Sequence, residues 1–355
     1  MMKKILPLWI LLAGCSSWNH KDFEKSIDLP SSQTISPEVV VDKSLMDKFE
    51  VEAVPTPMVK AEKKTKNKSP SDKAKDKKLV PKPIKESDVP SITVTPMGAP
   101  PKVLPVDYPP ELISVNEQAK KVWDVYQPNH PVDEKMYLDI HYLGMTVGKI
   151  MLTNNGKKMI NGKEVWHYHS RFKSAPFYRS IYELDDTVDT YVATQDFLSV
   201  RYSLIQRESK QNVDDLQLHD RDQLKTFWFY KQKKSDGKIK EKKTEKYIPY
   251  YSIDPFSVVF FYQGLPLKDN DLYEIPIINK DKILILRSEV EGREEIETSK
   301  GKRKAIRVHA VTKYTGDHIK SGDLYFWFSD DKKRVLLKAS AKIKIGSVTA
   351  DIVEN

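Results

Sequence analysis

Apolar and polar residues alternate along most of the chain after residue 136, with the period of two that is typical of a strand with one buried face. Turn-forming pairs such as Asn161-Gly162 and Asp236-Gly237 separate the runs, and strands joined so tightly must be antiparallel. The pattern therefore predicts a mainly β fold, with a curved antiparallel sheet that forms an open or half barrel. The predicted strands are residues 136–142, 146–153, 164–173, 179–184, 187–194, 199–207, 225–231, 283–290, 305–314, 324–328 and 335–345.

Two segments depart from this alternation and have helical spacing. Residues 111–126 place apolar side chains on one face and predict a helix that packs on the domain edge. In residues 252–267, Asp254 is positioned to cap a helix that ends at Gly264. Because apolar groups surround this second helix, we expect it to be buried in the concave side of the sheet. The side chains expected to line a ligand there are Phe256, Val259, Phe260 and Tyr262.

The first fifteen residues carry a different pattern. Two lysines precede an apolar run, residues 5–13, which is shorter than the ~20 residues that cross a bilayer. Small residues follow it, which is the layout of a secretory signal peptide. The sequence LAGC at residues 12–15 resembles the lipobox of bacterial lipoproteins. This resemblance implies cleavage between Gly14 and Cys15 and acylation of Cys15; the alternative is an ordinary signal peptide with a chance cysteine.

The lipobox determines where we expect the protein to be. Cys15 is the only cysteine, so neither an intrachain disulfide nor a cysteine metal cluster can form. In the lipoprotein pattern an aspartate after the cysteine keeps a protein on the inner membrane, whereas Ser16 here favours the outer membrane. The sequence predicts a cell-envelope protein that is held to a membrane by lipid, faces the periplasm and has no nucleic-acid partner.

The segment that follows the signal is poor in apolar residues. Between residues 19 and 103, Phe23 and Phe49 are the only aromatic residues, while proline, serine and lysine are frequent. Such a composition predicts disorder, and hence a flexible tether. Residues 60–88 contain 11 lysines and 5 acidic residues, a net charge of +6. This run either binds anionic groups of the cell wall or the membrane, or only keeps the tether extended and soluble.

These patterns divide the chain into four regions. They are the signal peptide at 1–14, the lipidated and disordered basic tether at 15–104, a transition with a short helix at 105–132, and the antiparallel β domain at 133–355.

The β domain resembles a known bacterial family in several short motifs. They are Tyr142-Leu143-Gly144 with Gly148, the helix start Asp254-Pro255-Phe256-Ser257, the turns at Gly292 and Gly301, and the ending Trp327-Phe328-Ser329-Asp330-Asp331 followed by Ile345-Gly346-Ser347. These motifs are similar to the family known as domain of unknown function 3108, over roughly residues 133–354. The resemblance implies an exported protein, often a lipoprotein, and supplies no catalytic residues. The curled sheet with an inner helix is also similar to the lipid-carrying lipoprotein chaperones of the bacterial envelope.

Three histidines are the candidate metal ligands. His167 and His169 are two residues apart and so share one face of a strand, and His141 lies on the polar face of a nearby strand. Three imidazoles with an open fourth position are typical of a catalytic zinc site. However, no carboxylate stands at a spacing that would orient them, and histidines on a solvated strand face are the alternative. The sequence therefore predicts no metal and no other cofactor.

Two further features concern charge. The pairs Asp185-Asp186 and Asp330-Asp331 cannot present two carboxylates to one substrate from a strand, because neighbouring side chains point to opposite faces, so both pairs are predicted to start turns. Residues 231–246 contain 8 lysines and 3 acidic residues, a net charge of +5. This lysine hairpin either touches an anionic surface such as lipid headgroups, or its lysines protect a sheet edge from aggregation.

The functional prediction follows from these observations. Because no convergent catalytic group is found, we predict a lipoprotein that is not an enzyme and whose β domain binds a lipid or another envelope component. One alternative is a scaffold that contacts the cell wall or protein partners, and a second is a metal-dependent envelope hydrolase that uses the histidines. A cavity of at least ~300 Å³ beside residues 256–262 favours ligand binding, whereas a filled interior favours the scaffold.

Overall fold

The computed structural model describes residues 39–54, 100–101, 103–130, 135–314, 323–343 and 345–353. Cys15, Gly14 and the basic run at 60–88 lie outside the described residues. Among the described residues, no helix is long and apolar enough to span a bilayer. The helices are α1 (Lys43–Lys48), α2 (Pro110–Trp123), α3 (Pro176–Arg179) and α4 (Val258–Phe261), and a 3-10 turn (Tyr262–Gly264) follows α4.

The strands alternate direction along the chain and are mostly joined by short connections. They are β1 (Val51–Ala53), β2 (Lys135–Tyr142), β3 (Met145–Ile160), β4 (Lys163–Ser174), β5 (Asp185–Ala193), β6 (Ser199–Glu208), β7 (Gln211–Asp220), β8 (Lys225–Lys234), β9 (Ile239–Tyr247), β10 (Leu272–Asn279), β11 (Lys282–Thr298), β12 (Gly301–Tyr314), β13 (Leu324–Ser329), β14 (Leu336–Lys342) and β15 (Ser347–Val353).

A single antiparallel sheet contains all of these strands. Its order is β10-β11-β12-β13-β14-β15-β2-β3-β4-β5-β6-β7-β8-β9, with β1 paired to β3 outside this path. The segment 248–253, which follows β9, joins the two edges of the sheet. The amide of Ile248 donates to the carbonyl of Leu224, and Ile253 exchanges backbone hydrogen bonds with β10. The predicted mainly β fold with a curved antiparallel sheet is confirmed.

The concave side of the sheet is packed with α2, α4 and the 3-10 turn. α2 starts at Pro110, which needs no amide partner there, and buries its apolar face, including Trp123. The ring of Trp123 lies 4.7 Å from that of Phe261. Gly264 permits a close approach, because a Cβ at this position would lie 2.2 Å from the ring of Tyr126. The helix predicted at the domain edge thus contacts the edge strand β10 and also reaches the core.

A buried ionic network fixes this inner layer to the sheet. Arg221 is 4% exposed and donates to the carbonyls of Ser199, Pro249, Tyr250 and Ser252. Burial lowers the pKa of its guanidinium to about 10. On the other side of Ser199, the fully buried carboxylate of Asp254 accepts hydrogen bonds from the hydroxyls of Thr190, Ser199 and Ser257. The network thereby connects β5 and β6 to the start of the inner helix.

Residues 39–54 are ordered against the sheet, which corrects the prediction of disorder for this part of the tether. Asp42 caps α1 by accepting the amide of Ser44 at 2.9 Å, and β1 pairs with residues 158–160 of β3. Phe49 is 3% exposed and packs among apolar side chains on the convex side of β3 to β8. The carbonyl of Phe49 also accepts a hydrogen bond from Arg201 at 2.8 Å. The prediction failed because the apolar residues that dock here form one short stretch within a long polar segment.

Besides β1, the predicted strands omit β7, β9, β10 and β15. Both faces of β7 are buried, and one of them carries the polar residues Asp215, Gln217 and His219, so the pattern of one apolar and one solvated face does not apply. β9 is almost wholly exposed and rich in lysine, and β10 contains Pro276. The predicted strand 179–184 is wrong, because α3 and a loop occupy this region.

Three local predictions need correction. Asp185 and Asp186 belong to β5 rather than to a turn, because each has partners of its own: Asp185 accepts two hydrogen bonds from Arg171. The strand predicted at 335–345 is interrupted by a bulge opposite Phe328, so the neighbours Leu336 and Leu337, which a regular strand would point to opposite faces, are both buried. The predicted helix 254–264 is shortened to α4 and its 3-10 turn, preceded by a turn that Asp254 stabilises through the amide of Ser257.

We expect Phe49→Ala to release residues 39–54 from the sheet. Removal of a buried phenylalanine ring costs about 3–5 kcal/mol, which a short segment held by one three-residue strand cannot compensate. Hydrogen exchange should accelerate at residues 51–53 and 158–160. The control is Val40→Ala, whose side chain is exposed and should leave exchange unchanged. Unchanged protection in the Phe49 variant would show that the ring does not hold the segment.

Candidate functional site

The residues predicted to line a ligand contact the sheet and the inner layer directly. The ring of Phe260 stacks on Tyr168 at 4.0 Å. Tyr262 lies between Phe326 and Phe328, at 5.6 and 5.5 Å, and its hydroxyl hydrogen-bonds to Ser288. Phe256 and Val259 are half-buried and pack against the same core. Protein side chains therefore occupy the space next to Phe260 and Tyr262.

His141 does not join the other two histidines. It lies on β2 opposite Thr146, whose hydroxyl is 3.1 Å from its Nδ1, and its Nε2 is 3.8 Å from the carboxylate of Asp351. His169 lies opposite Thr153, seven residues further along β3. At about 3.3 Å per residue, this offset is about 23 Å. The three-histidine zinc site considered from the sequence is not formed.

His167 and His169 instead converge on a carboxylate from the neighbouring strand. The register of β4 and β5 places Asp189 directly opposite His169. Nε2 of His167 and Nδ1 of His169 donate to the same oxygen of Asp189, at 2.7 and 2.8 Å. The three side chains are half-buried, between 13% and 23% exposed. We call these three residues the histidine–aspartate cluster; sequence spacing identified its histidines and missed its carboxylate.

The surroundings of the cluster stabilise the ionised form of Asp189. Burial by itself raises the pKa of this carboxyl, but the hydrogen bonds and charges of His167 and His169 outweigh it and hold the pKa well below its usual range. The ring of Tyr191 stacks on His167 at 4.5 Å. Arg201, whose pKa is lowered by burial, interacts electrostatically with both Tyr191 and Asp189. The cluster thus lies beside the arginine that holds the docked residue Phe49.

The donor atoms of the cluster fit a divalent metal ion. The three atoms lie within 4.8 Å of one another, and two imidazole nitrogens with one carboxylate oxygen are a common set for zinc, iron and similar ions. A zinc ion about 2.0–2.1 Å from each donor would require only small movements. One feature opposes this use, because Nδ1 of His167 is buried and has no hydrogen-bond partner, whereas metal-bound histidines usually donate from the other nitrogen.

A second group of acids lies on the concave side of the sheet. The side chain of Gln206 donates to both Asp186 and Glu208, at 3.1 Å each, and Tyr182 donates to Glu208 at 2.5 Å. Burial, with a contribution from the charge of Glu208, raises the pKa of Asp186 to about 7. Both carboxyl groups are less than 10% exposed, so this arrangement stabilises the sheet rather than presenting an acid and a base to a substrate.

The lysine hairpin is formed by β8 and β9, and β9 is an edge of the sheet. Two of its lysines cover aromatic rings of β8: Lys242 lies 5.3 Å from Trp228, and Lys243 lies 5.4 Å from Phe229. The hairpin places lysines along an exposed edge, which is the arrangement that protects sheets against pairing with other chains. The same lysines remain accessible to an anionic surface.

Comparison with protein families gives one match. The sequence profile of the family described as Protein of unknown function (DUF3108) matches residues 138–353, from β2 to the end of β15. A comparison with curated proteins finds no match.

Solved structures with some similarity include proteins from three bacteria. A β-barrel-like protein of domain of unknown function DUF1849 from Brucella abortus is 11% identical, with a TM-score of 0.41 over 62% of this chain and 95% of that one. A protein designated as a lipoprotein from Parabacteroides distasonis is 11% identical, with a TM-score of 0.24 over 63% and 95% of the two chains. A protein designated as exported, with a YmcC-like fold, from Bacteroides fragilis is 10% identical, with a TM-score of 0.27 over 65% and 99%.

Proposed function

We propose that this chain, which belongs to the family described as Protein of unknown function (DUF3108), is a lipid-anchored protein of the bacterial cell envelope. Its first fourteen residues act as an export signal, and acylated Cys15 holds it to the periplasmic face of the outer membrane. Its β domain is a non-catalytic module that binds another envelope component with its surface. This is the scaffold alternative of the sequence analysis rather than a carrier of lipid in an interior cavity.

The packing of the inner layer carries this proposal. Phe260 on Tyr168 and Phe261 against Trp123 place aromatic rings 4.0–4.7 Å apart where a carrier would hold an acyl chain. Aromatic side chains in such contact are worth about 0.5–1.5 kcal/mol per pair beyond the burial of their surface, so opening this layer for a ligand is unfavourable. The filled interior supports binding at the surface.

The docked segment also limits how far the domain can move from the membrane. Only 23 residues separate Cys15 from Val39, where the described part of the chain begins. A chain of this length reaches at most about 80 Å, against about 300 Å for the whole predicted tether. We propose that the domain works close to the membrane, with the basic run 60–88 available to cell-wall or headgroup anions.

The anchor is tested by Cys15→Ser. We expect the native chain to incorporate labelled palmitate and to sediment with membranes, and the variant to incorporate no palmitate. The physical reason is that two or more acyl chains are required for stable anchoring, because each buried methylene contributes only ~0.8 kcal/mol. Ser16→Ala is the control and should keep the label. A Cys15 variant that still carries palmitate would contradict the proposal.

The histidine–aspartate cluster favours a second candidate function, the binding of a divalent metal ion. Two imidazole nitrogens and one carboxylate oxygen lie within 4.8 Å of one another. Their side chains are partly exposed, which leaves room for water or a substrate atom to complete the coordination of an ion. This is the donor set that a metal-dependent envelope hydrolase would need. The nearby cation Arg201 weakens binding, so the ionised carboxylate of Asp189 is essential to it.

Titration with zinc tests this second candidate. Isothermal calorimetry of the native chain should show one zinc site, and Asp189→Asn and His169→Asn should each weaken it by about tenfold or more, since each removes a ligand. His141→Asn is the matched control, because His141 lies on the same sheet outside the cluster. No binding at all, or equal losses in the control and the two ligand variants, would contradict the site.

A further inference from the structure

One end of the sheet carries most of the exposed apolar side chains of the β domain. Because every neighbouring pair of strands is antiparallel, alternate connections lie at the same end. We call the connections at one end the loop rim. Within the described part of the chain, it comprises residues 143–144, 175–184, 209–210, 235–238, 280–281, 343 and 345–346.

Hydrogen bonds between the connections make most of the loop rim one continuous surface. The hydroxyl of Tyr142 donates to the carbonyl of Ile345, and the amide of Ala175 donates to the carbonyl of Val147. Further along the rim, the amide of Ser209 donates to Glu183. The amide of Ser235 in turn donates to Lys210. The rim therefore runs without a break from β14 to the lysine hairpin.

Exposed apolar side chains are concentrated on this rim. In the described part of the β domain, from residue 135 onward, seven large apolar side chains are exposed. Only one of them, Leu272, lies at the opposite end of the sheet, at the start of β10. The six that lie on the loop rim or directly beside it are Leu143, Phe177, Ile181, Ile239, Ile343 and Ile345.

Folding does not explain two of these residues, Leu143 and Ile345. Leu143 has a φ of +49° in a tight turn, a left-handed conformation that favours asparagine or glycine, and its side chain is 49% exposed. Ile345 is 65% exposed in the adjoining turn, where a Cβ on Gly346 would lie 3.4 Å from the side chain of Leu143. A leucine in this position neither relieves the backbone nor enters the core. Apolar loop tips of this kind are typical of a surface that contacts another apolar phase.

The excess positive charge of the rim lies at the lysine hairpin, which has a net charge of +5. Elsewhere on the rim and at its margin, exposed cations such as Arg179 and Lys210 alternate with acids such as Glu183. Apolar tips next to a cluster of lysines fit the interface of an anionic bilayer, because the tips enter the headgroup layer while the lysines remain at the lipid phosphates.

We propose that the loop rim docks on the surface of an anionic lipid bilayer. This deepens the proposed function, since it identifies the part of the domain that faces the membrane to which Cys15 is attached. Chain length permits this orientation. Asp42, at the start of α1, interacts electrostatically with Lys243 of β9. Lys243 lies about 17 Å along the strand from the turn at Lys238, so the start of α1 is near the rim. The 23 residues between Cys15 and Val39 can span this distance several times.

Sedimentation with vesicles tests the docking surface. The probe is the mature chain, residues 15–355, prepared without lipid as Cys15→Ser, so the result does not depend on acylation. We expect it to bind vesicles that contain about 30% phosphatidylglycerol in phosphatidylcholine, and to bind phosphatidylcholine vesicles much more weakly. The double variant Leu143→Glu, Ile345→Glu should lower the binding by about tenfold, because it places charge where the tips insert.

The matched control is Leu272→Glu, in which a leucine that is 57% exposed at the other end of the sheet receives the same charge. It should bind as the unchanged chain does. Circular dichroism should give the same spectrum for all variants, since none of these side chains is part of the core. Equal binding by the double variant and the unchanged chain would overturn the proposal, and so would equal losses in the double variant and the control, or no binding to anionic vesicles.

Discussion

The buried charge of Arg221 is the constraint on which the rest of the structure depends. A guanidinium that leaves water is costly unless its donors are all used and an opposite charge is near. Here the guanidinium of Arg221 donates to the carbonyl of Ser199 and to carbonyls of the segment after β9. Asp254 supplies a negative charge on the other side of Ser199. The hydrogen bonds of both residues to Ser199 hold the inner layer against β6.

This arrangement determines where the protein can act. With α2 and α4 held inside, aromatic side chains occupy the concave side, and accessible chemistry remains on the convex side and at the ends of the strands. The histidine–aspartate cluster and the docked residues 39–54 share the convex side, connected through Arg201. The loop rim occupies one end. This organisation supports the proposed role at an envelope surface rather than the carriage of a molecule inside the domain.

The sequence predicted the strands in which apolar and polar residues alternate, and it missed strands in which polar residues occupy buried positions. Strands with apolar inner residues, such as β3 and β12, follow the alternation and were predicted. β7 was not, because it buries Asp215 and His219, which hydrogen-bond to Trp228 and Thr226 of the neighbouring strand, and no periodicity reveals such partners. The spacing of His167 and His169 predicted that they share a face, but Asp189 joins them only through the register of a neighbouring strand.

The central claim is that the interior of the domain is filled by its own side chains. Native mass spectrometry of the acylated chain, extracted from membranes and freed of detergent, tests this claim most directly. The account predicts a single mass equal to the mature chain with its covalent acyl groups. A phospholipid or fatty acid that stays bound in stoichiometric amount without a covalent bond would contradict it.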